Sequence, residues 1–233
     1  MLIAHWPLEG NAKDEAYGNY NGTEIGGVSY GDGILGDCYD NTSGSGTGIQ
    51  LMEHADARKF DNVFSWSLWF KSTTTSGSNN ERILARDDSE YPTFTIDQNQ
   101  SGQQNLDSDA AGSAQVNEWH HAAFVHQSDQ TVITYIDGVR QGTRSAPKAN
   151  TARPWVIGGN TEGDGDISGG HFEGKIDDVR FYDHVLSKAE IKELAQGKLL
   201  HYKFDSPDVI SDSTVGQNTG KNNGATFIED TAI

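Results

Sequence analysis

Hydrophobic and polar residues alternate along the stretch from residue 62 to residue 73, NVFSWSLWFKST. Phe64, Trp66, Leu68 and Phe70 occupy every second position, so in an extended chain they fall on one face. This period of two predicts a β-strand that turns one face towards a hydrophobic core.

Other stretches of strand character are separated by turn-rich segments, and they lie at residues 2–8, 82–86, 92–98, 118–127, 131–143, 154–160 and 172–186. Asp137-Gly138 stands between two β-branched runs, a pairing that favours a type I′ hairpin turn. The segment 9–27 is polar and is predicted to be a long loop. Because strands follow one another without a regular alternation with helices, the pattern predicts an all-β sandwich.

One segment near residue 190 has helical character instead. Ser187 is a good N-cap, and Glu190 three residues later completes a capping box. Ile191 and Leu194 supply an apolar stripe, and Gly197 suits the end of a helix. The sequence therefore predicts one short helix that buries a single face against the sandwich.

Composition narrows the function classes. The chain has 233 residues and a formal net charge of −17, which argues against nucleic-acid binding because phosphate contacts need clustered Lys and Arg. No stretch approaches the roughly 18 apolar residues of a membrane span, so membrane insertion is not expected. Cys38 is the only cysteine, so an internal disulfide is excluded. The start MLIAHWPLEGN lacks a basic leader region, which suggests either a leader removed earlier or export by another route.

Five motifs of the sequence together resemble those of a known family. These motifs are HWPLEG, FSWSLWFK, EWHHAAFVH, TYIDGVRQG and FEGKIDDVRFYDHVLSKAEIKEL. The chain resembles the laminin-G-like, concanavalin A-like jelly rolls of the bacterial and phage type over residues 3–198. The last motif is the most specific, because this family ends its sandwich with that strand and that helix. The resemblance implies an antiparallel two-sheet jelly-roll sandwich with one short C-terminal helix, over residues 1–198.

The remaining residues, 199–233, repeat the start of the chain. His201-Tyr202 corresponds to His5-Trp6, and Asp212 corresponds to Asp14. A second copy of the domain therefore begins near residue 199, but so short a segment cannot complete another sandwich. Three alternatives remain: a longer tandem array, a tail that donates a strand to a neighbouring subunit, or a tail that covers its own domain.

The resemblance also implies a structural calcium ion between the first loop and the last strand. Carried over, this points to Asp14 and Asp177, with Asp178 as the adjacent alternative. Two consecutive aspartates in an alternating strand place one carboxylate at an inner or rim position, where it needs a partner or an ion. The alternative is that Asp177 accepts hydrogen bonds from backbone amides without a metal. The acidic loop 162–166 is a weaker calcium candidate.

Carbohydrate sites combine an aromatic face with planar polar groups. Tyr91 and Arg86 lie close together in the sequence, and Trp155 follows a loop, so these three are candidate ligand contacts. Packing in the core or at the rim is the competing interpretation for each aromatic ring. Trp66 belongs to the core face of its strand, whereas Trp69 lies on the opposite face.

Catalysis is not expected. The paired carboxylates of the related glucanases, a nucleophile elbow and an HExxH motif are all missing, and the resemblance assigns His121 a packing role. We therefore predict a non-catalytic recognition or assembly module of a phage virion or extracellular appendage, such as a tail fibre or decoration protein. Its expected partners are surface glycans and other subunits of a homo-oligomer or particle. The alternative is a carbohydrate-binding module of a secreted bacterial glycoside hydrolase or adhesin.

Overall fold

The computed structural model describes residues 1–16, 20–43, 46–52, 63–74, 81–86, 94–98, 103–106, 113–145, 154–161, 167–197, 202–203 and 211–212. The chain divides into two compact units, Met1–Gln196 and Gly197–Ile233. No helix among these residues is long and apolar enough to cross a membrane.

Strands make up most of the described secondary structure. In chain order they are β1 (Leu2–Trp6), β2 (Thr23–Ile25), β3 (Tyr30–Asp32), β4 (Asp37–Asp40), β5 (Gly48–Met52), β6 (Phe64–Ser72), β7 (Glu81–Ala85), β8 (Phe94–Gln98), β9 (Gln103–Leu106), β10 (Ser113–Gln115), β11 (His120–His126), β12 (Thr131–Ile136), β13 (Val139–Ser145), β14 (Trp155–Ile157), β15 (Asn160–Thr161), β16 (Ile167–Gly169), β17 (Gly174–Tyr182), β18 (Tyr202–Lys203) and β19 (Ser211–Asp212). The helix α1 covers Lys188–Ala195.

Two large antiparallel sheets form the first unit. An eight-stranded sheet has the order β13-β12-β11-β6-β17-β4-β3, with β1 also paired to β17. A seven-stranded sheet has the order β10-β9-β8-β7-β14-β5-β2, and β15 pairs with β16 in a small hairpin. In the second unit β18 pairs with β19. The predicted antiparallel two-sheet architecture is confirmed, whereas the second repeat stays a prediction.

Aromatic rings fill the space between the two large sheets. Trp66 of β6 lies 5.0 Å from Trp155 of β14 and 4.5 Å from Phe181 of β17, measured between ring centroids. Trp6 of β1 stacks on the same Trp66 ring at 5.9 Å. The alternation along β6 explains this arrangement, because Phe64, Trp66, Leu68 and Phe70 all belong to the core.

The hairpin between β12 and β13 follows the sequence prediction. Asp137 and Gly138 have φ angles of 51° and 76°, as a type I′ turn requires at its two central residues. Ile136 and Val139 face each other directly across the turn. The local turn chemistry therefore sets the register of the edge strand β13.

The helix α1 packs on the outer face of the eight-stranded sheet. Its capping box is confirmed, since Ser187 and Glu190 each accept a hydrogen bond from the other's backbone N–H, and Gly197 has a positive φ of 56°. Ile191 is fully buried in a second apolar cluster with residues of β11, β12 and β17. The helix therefore covers the part of that outer face where β11, β12 and β17 carry apolar residues.

The structure differs from the sequence prediction in the first third of the chain. The segment 9–27 was expected to be a loop, but it contains β2, which pairs with β5. Short, half-polar edge strands such as β2 and β3 carry little alternation, so they are held by their partners rather than by a pattern of their own. The final strand β17 is also shorter than the predicted range 172–186.

Candidate ligand and metal sites

A β-bulge interrupts β17 at the aspartate pair. Asp177 faces Trp69 of β6, and Arg180 faces Ser67, so β17 contains one residue more than β6 between these two pairs. Asp178 has a positive φ of 49°, a left-handed conformation that Asp tolerates better than most residues. The bulge turns both consecutive carboxylates away from the core between the sheets, whereas strict alternation would separate them.

Asp177 is fully buried beside the turn that joins β3 to β4. Its Oδ2 atom accepts hydrogen bonds from the backbone N–H groups of Ile34 and Leu35, each at 2.9 Å, while its Oδ1 atom has no partner. Burial raises the pKa of Asp177 to about 7, and the neighbouring Asp178 charge adds to the shift. A Cβ atom at Gly33 would lie 2.5 Å from Oδ2, so glycine is needed for this close approach.

Asp178 joins β1 to β17. Its Oδ1 atom lies 2.7 Å from Nε2 of His5, 3.1 Å from Nε of Arg180 and 3.0 Å from Nη2 of Arg180. Burial opposes the charge of Arg180, but the Asp178 carboxylate outweighs it and raises the pKa of the guanidinium. This carboxylate therefore balances a cation and anchors the first strand to the last.

Asp14 organises the loop that follows β1. Its Oδ1 atom accepts hydrogen bonds from the backbone N–H groups of His5 and Ala16 at 2.9 and 2.8 Å. Its Oδ2 atom accepts one from the N–H of Tyr20 at 3.0 Å. The same carboxylate thus closes the loop on β1, and His5 connects it through its backbone to the Asp178 ion pair.

These contacts bear on the predicted calcium ion. All three carboxylates are directed at N–H donors of the protein, and in the described ranges no three His, Cys, Asp or Glu side chains are grouped so that they could hold a metal ion. Calcium needs several oxygen ligands around one point, and these residues do not fit that requirement. The acidic loop 162–166 lies outside the described residues. Calcium binding stays a prediction for experiment.

The predicted ligand contacts are partly brought together. The guanidinium carbon of Arg86 lies 5.8 Å from the ring centroid of Trp155, a cation–π contact. Both side chains are buried, at 3% and 1% exposure, and Trp155 belongs to the core. Tyr91 lies outside the described residues. A role in ligand contact stays a prediction for all three residues.

A group of polar and aromatic side chains that the sequence analysis did not combine lies on the outer face of the eight-stranded sheet. We call it the polar patch, and it consists of His5, Trp69, His121, Asp178 and Arg180. Trp69 pairs with His121 in the neighbouring strand, and His5 pairs with Arg180. The rings of Trp69 and His121 meet edge to face at 5.3 Å between centroids.

The charges within the polar patch largely offset one another. Burial lowers the pKa of His121 to about 4, so its ring is uncharged at neutral pH. Asp178 and Arg180 offset each other as an ion pair. The sequence offered one indication of this patch: Trp69 is a large aromatic ring on the face of β6 that otherwise carries Ser65, Ser67 and Lys71.

Several solved structures share this fold. Domain 4 of AbnA, a GH43 extracellular arabinanase from Geobacillus stearothermophilus, was solved in complex with arabinotriose; the similarity covers 84% of this chain and 98% of that domain, at 22% identity and a TM-score of 0.61. The binding domain of Paraclostridial Mosquitocidal Protein 1 matches with 14% identity and a TM-score of 0.59, over 86% of this chain and 53% of that one. Trypanosoma rangeli sialidase matches with 12% identity and a TM-score of 0.59, over 83% of this chain and 32% of the sialidase.

At these identities the likeness shows the fold. The chain spans about half of the toxin binding domain and about a third of the sialidase. No curated protein sequence matches this chain. Residues 43–192, which contain most of both sheets and the first five of the eight residues of α1, match the family model of the laminin G type. On this match the chain belongs to the Concanavalin A-like lectin/glucanases superfamily.

Proposed function

We propose that this protein is a non-catalytic carbohydrate-recognition module that works outside the cell. The observation that carries the proposal is the polar patch. It combines an indole ring with a carboxylate, a guanidinium and imidazoles on a flat sheet face, the kinds of group that recognise sugar rings and hydroxyls. The related arabinanase domain, solved with arabinotriose, supports the same substrate class.

One histidine–carboxylate pair deserves comparison with a catalytic dyad. Nδ1 of His120 lies 2.7 Å from Oδ2 of Asp137, but Nε2 of His120 already accepts a hydrogen bond from the backbone N–H of Gln115 at 2.9 Å. A general base needs that nitrogen free to take a proton. This pair therefore supports a structural role for His120 and agrees with a binding module rather than an enzyme.

The test is binding of the purified protein to a broad glycan array, once with calcium and once with a chelator. We expect binding to one class of glycan, with no release of shorter products when the bound glycan is incubated with the protein. Binding that disappears with the chelator would support the predicted calcium ion. The absence of binding under both conditions would contradict carbohydrate recognition. Hydrolysis of the bound glycan would contradict the non-catalytic assignment.

A phage virion or an appendage such as a tail fibre remains our proposal for the larger assembly. The internal repeat that begins near residue 199 supports it, since tandem copies present several sites along one particle. A secreted bacterial glycoside hydrolase or adhesin is the alternative carrier, and the likeness to a domain of an arabinanase supports that carrier. Electron microscopy of particles labelled with an antibody against this chain separates the two.

A further inference from the structure

We infer that the polar patch is the ligand-binding site of this module and that it binds a single uncharged sugar ring. The inference rests on the proposed carbohydrate recognition and adds its place and its ligand class. It concerns the part of the outer face that lies beside the apolar cluster under α1. On β11 that cluster begins at Ala123, two positions after His121 of the polar patch.

The patch is rigid. Its side chains stand on four adjacent strands, with His5 on β1, Asp178 and Arg180 on β17, Trp69 on β6 and His121 on β11. The bulge fixes the position of Asp178, and the ion pair holds the guanidinium plane of Arg180. A site built on strands loses little conformational freedom when a ligand binds, which favours affinity for small ligands.

The patch also keeps unused hydrogen-bonding capacity. Asp178 directs its contacts with His5 and Arg180 to Oδ1, and among the described residues no hydrogen bond reaches its Oδ2 atom. His121 is 2% exposed, and its Nδ1 atom has no hydrogen-bond partner. A ligand hydroxyl group can reach the Asp178 side chain, which is 11% exposed, whereas Nδ1 of His121 is buried and marks a hydrogen-bonding position that the folded protein leaves unfilled.

Exposure limits the size of the ligand. The side chains of Arg180, His5 and Asp178 are 28%, 22% and 11% exposed, and Trp69 is 8% exposed. At these exposures the contact area comes mainly from Arg180, His5 and Asp178, which suits one terminal sugar ring rather than an extended chain.

Charge selects among sugars. The charges of Asp178 and Arg180 offset each other, so this pair supplies no net positive charge to a carboxylate or sulfate, and the His121 ring is uncharged at neutral pH. Lys71 lies on the same face of β6, outside the patch. The whole chain carries a formal charge of −17, which repels anionic glycans at low ionic strength. Uncharged saccharides meet neither obstacle.

The experiment measures the affinity of four probes by isothermal titration: arabinotriose and maltotriose as uncharged probes, sialyllactose and trigalacturonate as anionic ones. Two variants change the patch with little change of shape. Asp178→Asn keeps a residue type that tolerates the left-handed conformation, and Arg180→Lys keeps the charge but loses the planar fork. Arg140→Lys, on the exposed strand β13, is the matched control.

We expect the parent and Arg140→Lys to bind an uncharged probe equally, and both patch variants, measured at a temperature at which each is fully folded, to bind it at least about tenfold more weakly. As a second readout, the NMR signal of the Trp69 indole N–H should shift on titration of the parent. Undiminished binding by both patch variants would contradict the polar patch as the binding site while leaving carbohydrate recognition intact. Preference for the anionic probes would overturn the ligand class, and no binding of any probe or array glycan would overturn the proposed function as well.

Discussion

Asp177 and Asp178 are neighbours in the chain, but their carboxylates meet opposite environments. Asp178 faces a guanidinium and an imidazole, whereas Asp177 faces two backbone N–H groups and has one oxygen without a partner. Backbone amides supply partial charge only, so burial dominates at Asp177 and raises its pKa from 3.8 to about 7. At the scale of single residues, this difference makes Asp177 the clearest source of pH dependence.

The sign of that dependence follows from the raised pKa. The folded protein holds the proton of Asp177 more tightly than the unfolded chain does, so the resulting stabilisation is complete below about pH 4 and is lost as the pH rises through about 7. Asp177→Asn cannot ionise. We expect its free energy of unfolding, relative to the parent, to rise between pH 4 and pH 8 in urea denaturation. Parallel curves for the two proteins would contradict a raised pKa.

The calcium prediction belongs to the same residue. Asp177→Ala leaves the buried N–H groups of Ile34 and Leu35 without an acceptor, which should cost about 1–3 kcal/mol and lower the melting temperature with or without calcium. If a calcium ion also sits there, the parent loses stability on addition of a chelator and the variant does not. A parent whose melting temperature is the same with calcium and with the chelator would contradict the calcium ion, and a variant as stable as the parent would contradict the capping role.

At the scale of elements, the helix α1 offers a graded test. Ile191 is fully buried under the helix, so Ile191→Ala should cost about 2–5 kcal/mol. Ser187→Ala removes one half of the capping box and should cost about 1 kcal/mol, while the exposed Lys188→Ala should change stability by less than about 0.5 kcal/mol. Chemical denaturation measures the free energy of unfolding of all three variants. Equal effects of the three variants would show that α1 does not stabilise the sandwich.

The same scale explains what the sequence could predict. The strand β6, the hairpin at Asp137-Gly138 and the capping box of α1 were predicted correctly because each depends on residues close together in the chain. The short strands β2 and β3 were missed because their partners hold them. The bulge at Asp178 was missed for the same reason, since a bulge is a mismatch between two strands and one strand alone does not reveal it.

The candidate site was harder to predict than the fold. Arg86 and Trp155 were each predicted as ligand contacts, but the sequence could not tell that they contact each other below the surface, because burial depends on what packs on both sheet faces. The polar patch needs the register of four strands that are distant in the chain. Trp69 was placed on the outward face, and its partners were visible only after folding.

At the scale of the whole molecule, the first unit contains every strand of both large sheets, and the described residues of the second unit form the pair β18–β19. In the repeat, Tyr202 corresponds to Trp6 and Asp212 corresponds to Asp14, and the structure pairs Tyr202 with Asp212 in neighbouring strands. The first copy makes a different contact, a hydrogen bond from the backbone N–H of His5 to the Asp14 side chain. A second copy of the domain stays a prediction.

Strand donation and a longer tandem array predict different solution behaviour. If residues 199–233 add a strand to a neighbouring subunit, the mass measured by light scattering should rise with protein concentration, and a chain ending at Gly197 should stay monomeric. His201→Ala together with Tyr202→Ala should weaken the association, because these residues correspond to His5 and Trp6, which contact Asp178 and Trp66. Lys221→Ala, elsewhere in the same tail, is the control. A monomer at every concentration would exclude strand donation and leave the tandem array and a tail that covers its own domain as the explanations of the repeat.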